Sequence, residues 1–195
     1  MISTAKNIGL YFGTFNPIHN GHLAIANHLL NSAELEEIWF VVSPQSPFKS
    51  KESLAEDKYR YQMVLLATEN NSCLNACNIE FTLPKPSYTI DTLSELHKKY
   101  PEKNFALIMG SDNLESLQLW KNYEEILNNY RIYVYPRQGS DGGTFSSHPS
   151  VRWVDAPLIE ISSTTIRESI KQEKDISLLL PAKVFKYIEE MGFYK

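Results

Sequence analysis

A doubly wound α/β fold built on a parallel sheet is what this sequence predicts, and three observations predict it. Short apolar runs alternate with stretches whose apolar residues recur every three or four positions. That is the pattern of strand–helix–strand units joined by right-handed crossovers. The run at 37–42, Glu-Ile-Trp-Phe-Val-Val, is apolar almost throughout, as a strand covered on both faces requires. The residues best suited to chemistry stand where such runs end, and in an open parallel sheet that is the edge where ligands bind.

Length and composition agree. The chain has 195 residues, 43% of them hydrophobic, and a net charge of −4. This predicts one domain over 1–195 with a small C-terminal helical portion from about 162 to 195. No broad basic surface points to a nucleic-acid polymer. No stretch is long and apolar enough to span a bilayer, and residues 1–7 lack a signal-peptide pattern. Cys73 and Cys77 are the two cysteines, too few for a disulfide framework, and they read as thiols of a reducing cytoplasm. The oligomeric state is not readable from these features.

The first strand is predicted at 8–12 and the first helix from 21 to about 31, with Leu23, Ala26, Leu29 and Leu30 as its stripe. Between them lies Gly13-Thr14-Phe15-Asn16-Pro17-Ile18-His19-Asn20-Gly21-His22. Gly13 allows close backbone approach or positive φ, and Thr14 adds a hydroxyl. His19 and His22, three apart, share a face if helical, near the positive end of the next helix, which suits phosphate. Geometry alone leaves a plain turn with a capping histidine equally open. A zinc pair is a third reading, short of companion ligands.

After the 37–42 strand, residues 43–51 hold two prolines among basic residues and form an exposed loop. It is either a solvated connector or a substrate loop whose Lys49 reaches a phosphate. A helix is predicted over 57–69 and a strand over 76–83. The next helix starts near Thr89, where Ser87 or Thr89 can cap it and free N–H groups can bind a carboxylate. His97, on its apolar stripe, reads as a packed histidine. The strand at 104–109 runs into Gly110-Ser111-Asp112, where Asp112 is an N-cap or a partner for ribose hydroxyls. Short helices around Leu114, Leu117, Trp120 and Ile126 follow, with Trp120 a core residue by periodicity. Strands at 131–135 and 151–154 complete the sheet. Hydroxyls then crowd 161–167, Ile-Ser-Ser-Thr-Thr-Ile-Arg. One would cap a helix; the excess, with Arg167 a turn in, suits phosphate oxygens. A tail over 177–194 is helical.

At 13–22 the chain resembles the signature of the nucleotidylyltransferase superfamily, with His-x-x-His at its centre, and within it the nicotinate-nucleotide adenylyltransferase family. Phe12 replaces a common second glycine and Asn16 a common aspartate. Phe48 replaces the histidine of the family's Pro-Pro-His-Lys segment, with Lys49 at the basic position. Five motifs occur in the family's order. The resemblance implies a Rossmann-like fold and transfer of adenylyl from ATP to nicotinate mononucleotide, with Mg²⁺ accompanying ATP. It implies that His19, His22, Lys49 and Arg167 act on phosphates. Gly13, Thr14, Phe15, Gly110, Asp112, Ile161, Ser162, Ser163 and Thr164 would bind ATP. Thr89, Trp120 and Lys121 would receive the nicotinate nucleotide, by stacking on the indole and by N–H donation to the carboxylate. Relatives acting on nicotinamide mononucleotide or phosphopantetheine, or a nucleotide sensor, are the alternatives.

Overall fold

A computed structural model describes residues 6–44 and 54–195. Six strands form one parallel sheet in the order β3-β2-β1-β4-β5-β6. They are β1 (Asn7–Gly13), β2 (Glu37–Val42), β3 (Leu74–Cys77), β4 (Asn104–Gly110), β5 (Ile132–Tyr135) and β6 (Val151–Trp153). The helices are α1 (Asn20–Ser32), α2 (Asp57–Thr68), α3 (Thr89–Lys99), α4 (Ser111–Glu115), α5 (Tyr123–Asn129), α6 (Ser163–Lys171) and α7 (Ala182–Met191).

Strand alternation splits the core in two. Ile38, Phe40 and Val42 of β2 join one buried cluster with Ile25 and Leu29 of α1 and Met63 of α2. Trp39 and Val41 point the other way, into a cluster with Leu93 and Leu96 of α3 and Ile126 of α5. Strands β4 and β5 divide their residues in the same manner. Both faces are therefore buried, which is why the strands read as unbroken apolar runs. The C-terminal helices add Ile166, Val184 and Ile188 to the first cluster.

Strand order reverses between β1 and β4, so their carboxyl ends part around a crevice. Register brings the chemistry to it: Gly13 pairs with Val42, and Gly110 with Tyr135. No helix among the described residues is long and apolar enough to cross a membrane.

Three expectations change. The predicted strand over 76–83 is a shorter strand, Leu74–Cys77, followed by a 3-10 turn at Ile79–Thr82. Its neighbour β2 ends at Val42, and the last pairing is Val41 with Cys77, so β2 has only one residue left beyond it and cannot support a strand to 83. His97 is exposed, its ring lying against Phe105 and Tyr130 rather than inside the core. Neither Ser87 nor Thr89 caps α3; its N-cap is Tyr88 and no side chain bonds there. Both cysteines are free thiols.

Candidate active site

The loop after β1 is held by sterics before any ligand enters. Gly13 is needed for space rather than for positive φ: a Cβ there would sit 2.9 Å from the Phe15 ring. The left-handed residue is Phe15 itself, at φ 45°, a strained conformation for a bulky side chain. Burial of its ring against Tyr11, Phe40 and His22 holds it there. Phe12, in place of a glycine, packs on the second cluster and lines the crevice.

His19 and His22 stack face to face, with centroids 3.7 Å apart. The His19 backbone N–H donates to Nδ1 of His22 at 3.2 Å, so the proton of a neutral His22 ring sits on Nε2. His19 is only 4% exposed, and its Nδ1 has no hydrogen-bond partner among the described residues. Burial, aided by the Arg137 charge, pulls its pKa down to about 3. His19 is thus neutral at pH 7. Below pH 6.5 the unfolded chain takes up a proton that the folded chain refuses, so stability falls as pH falls. The loss from this residue is expected to reach about 2 kcal/mol by pH 5. Glu80, whose carboxyl burial pushes up, acts with the opposite sign. The contribution of His19 is therefore read as the difference between wild type and His19→Asn in urea unfolding at pH 7 and pH 5. Equal pH dependence in the two proteins would refute it.

Two arginines tie this loop to its neighbours. Arg167 of α6 donates to the Asn16 carbonyl at 2.9 Å, and Ser163 Oγ to the Pro17 carbonyl at 2.9 Å. Segment 161–167 is thereby fixed beside the histidines. Ser162 is the N-cap of α6 and its Oγ accepts the Thr165 N–H. Ile161 packs against the first cluster, and Thr164 stays exposed. Arg60, which sequence reasoning passed over, is fully buried. It donates to the carbonyls of Thr14, Ser43, Pro44 and Ala55 and pairs with Asp57. Asn16 accepts on Oδ1 from the Ala55 N–H at 3.1 Å and from the Tyr194 hydroxyl at 2.8 Å. An amide oxygen serves both donors where the family's aspartate would add a charge.

A cavity of about 710 Å³ opens at the strand ends. It brings together Gly13, Thr14, Asp112, Thr89, Trp120 and Lys121, six of the residues expected from sequence. Gly110 lies at its edge, where a Cβ would strike Asp112 and Arg137. The Lys121 ammonium is paired with Asp91 at 2.8 Å and sits over the Tyr88 ring. Trp120 packs partly on the second cluster while lining the cavity. His19 on the loop, His22 in the first turns of α1, and Ser163 and Arg167 of α6 stand beside the cavity rather than in its wall. Lys49 and Phe48 lie outside the described residues.

Comparison with known proteins fits this geometry. A family profile described as cytidylyltransferase-like matches residues 10–169. A protein of Flavobacterium johnsoniae, named a probable nicotinate-nucleotide adenylyltransferase, is 54% identical over 96% of this chain and 98% of its own length. The chain belongs to the nicotinate-nucleotide adenylyltransferase family. A relative of the same name from Bacteroides thetaiotaomicron is 44% identical over 96% of this chain and 93% of its own. The solved structure of Plasmodium falciparum nicotinic acid mononucleotide adenylyltransferase complexed with NaAD is 22% identical. It superposes with a TM-score of 0.80 over 97% of each chain, which extends the shared fold well beyond the sequence likeness. Asn16 and Phe12, where the sequence departs from the signature it resembles, are respectively hydrogen-bonded and packed here.

Proposed function

We propose that this chain transfers the adenylyl group of ATP to nicotinate mononucleotide, giving nicotinate adenine dinucleotide and pyrophosphate, a step of NAD biosynthesis in the cytoplasm. The observation that carries the proposal is one crevice that joins two half-sites. The Gly13–Thr14 turn and Asp112 in its wall, with the bonded 161–167 segment beside it, suit a nucleoside triphosphate. The uncapped start of α3, with Trp120 and Lys121 opposite, suits an aromatic ring bearing a carboxylate.

A mononucleotide phosphate oxygen attacks the α-phosphorus, and the bond from that phosphorus to the bridging oxygen of pyrophosphate breaks. The attacking phosphate is already ionised at neutral pH, so no side chain needs to remove a proton. Catalysis rests on alignment and on donors aimed at developing charge. His22 and His19 donate to phosphate oxygens, with the partly exposed His22 nearest the reacting centre. Arg167 and the backbone N–H groups of Ser163 and Thr164 hold the leaving pyrophosphate, and Lys49 adds charge. Thr14, Phe15 and Gly13 shape the phosphate turn; Gly110 and Asp112 receive ribose and Ile161 the adenine side. The N–H groups of Thr89 and Lys121 receive the carboxylate while Trp120 stacks on the pyridine ring.

Among the described residues no three His, Cys, Asp or Glu side chains converge as a metal cage. Mg²⁺ would enter with ATP, carried on the nucleotide phosphates with few protein ligands. When bound, the ion neutralises phosphate charge.

The test is pyrophosphate release with Mg·ATP and, in parallel, nicotinate mononucleotide, nicotinamide mononucleotide or phosphopantetheine. Release is expected to favour nicotinate mononucleotide strongly. Preference for another acceptor would discard the pyridine half-site, and binding of ATP without release would make the chain a sensor.

A further inference from the structure

Glu80 sits in the 3-10 turn after β3 and is 2% exposed. A buried carboxylate is costly unless its oxygens are bonded, and these are. Oε2 accepts from Ser87 Oγ and Oε1 from Thr92 Oγ1, each at 2.8 Å. Those donors bracket Thr89, two residues before it and three after. Glu80 also lines the cavity, with Ser87, Tyr88 and Thr89.

A serine one residue ahead of the N-cap can turn its oxygen back to the N–H groups two and three residues on, at the first turn of the helix. Here the hydroxyl of Ser87 is turned to Glu80 instead, and α3 begins without a side-chain cap. The helix still presents its positive end to the cavity. We infer that Glu80 is the positioning residue for nicotinate recognition: it holds the Ser87 hydroxyl away from the start of α3, so that the N–H groups around Thr89 stay open for the ligand carboxylate. This rests on the acceptor half-site proposed above and adds the residue that keeps it vacant. Glu80 touches no reacting atom; it acts through Ser87.

The consequence is competition within the chain. Without Glu80, Ser87 is released to cap α3 and must be displaced by the substrate. Glu80→Ala is therefore expected to weaken nicotinate mononucleotide binding about fivefold, the worth of one helix cap. The KM for ATP and kcat should stay within about twofold. Adding Ser87→Ala removes the competing hydroxyl, so the double variant E80A/S87A should regain most of that affinity. A merely structural glutamate predicts the reverse, a double variant worse than the single. Calorimetric titration of nicotinate mononucleotide into each folded variant reads this directly. Unchanged affinity in Glu80→Ala, an ATP KM that rises in parallel, or a double variant that binds more weakly still would overturn the inference. Should Glu80→Ala not fold, Glu80→Gln keeps the shape with one acceptor oxygen, and the same comparison is made between it and E80Q/S87A. Wild type that fails to bind nicotinate mononucleotide would refute the acceptor half-site itself, a result separate from any of these.

Discussion

Replacing His22 by alanine is expected to lower kcat about a hundredfold while leaving the fold intact. The magnitude is that of one preorganised donor to developing charge, on the order of 3 kcal/mol. The direction follows from how the ring is held. Its Nδ1 takes the His19 backbone N–H, which puts the proton of the neutral ring on Nε2, and the ring packs against His19, Tyr11 and Phe15. Because the ring is fixed before substrate binds, no reorganisation is needed at the moment of reaction. The structural loss includes the bond from the His19 N–H and the ring contacts with His19, Tyr11 and Phe15, offset in part by an alanine that α1 accepts readily. A melting temperature within about 4 °C of wild type is the accompanying expectation. His22→Gln should recover part of the rate if donation is what matters. Near-normal turnover in His22→Ala would remove this residue from the mechanism.

The sheet could be read from sequence because each strand is buried on both faces, which leaves apolar runs such as 37–42 that no exposed element would carry. The phosphate segments could be read because their residue types are unusual together: two histidines after a Gly-Thr turn, and four hydroxyls ahead of Arg167. What escaped was set by partners distant in the chain. The strand after α2 was overextended because Ile79 and Phe81 alternate with polar neighbours, yet Glu80 points inward to Ser87 and Thr92 rather than to solvent. Gly13 was credited with a backbone freedom that Phe15 exercises, because the ring that needs the room is two residues away. Arg60 left one signal that could have been used. It lies three and four residues before Met63 and Val64, on the buried stripe of α2, where an arginine has no place unless it is bonded. Its partners are mostly carbonyls, which any residue supplies, so sequence could not have named them.

Arg60 carries the largest effect on stability. All its bonded nitrogens are enclosed, and it joins three stretches of chain: the turn at Thr14, the end of β2 at Ser43 and Pro44, and the approach to α2 at Ala55. A carbonyl buried without a donor costs about 1–3 kcal/mol. Four would be orphaned in Arg60→Ala, but those nearest the cavity can be reached by water, and Asp57 is partly exposed. The expected loss is therefore about 4 kcal/mol in urea unfolding, below the sum of four full penalties. Arg60→Lys should not rescue it, since an ammonium has three donors and cannot span the same fork of acceptors. Activity should suffer through ATP rather than through the acceptor, because the turn that Arg60 holds is that of Gly13 and Thr14, whereas Thr89 and Trp120 stand on other elements. A rise in the KM for ATP with an unchanged KM for nicotinate mononucleotide, measured on the folded fraction, is the signature. Stability within about 1 kcal/mol of wild type would mean that water or a neighbouring donor replaces the guanidinium without cost, and that the bonds of Asn16, Ala55, Tyr194, Ser163 and Arg167 suffice to hold the turn.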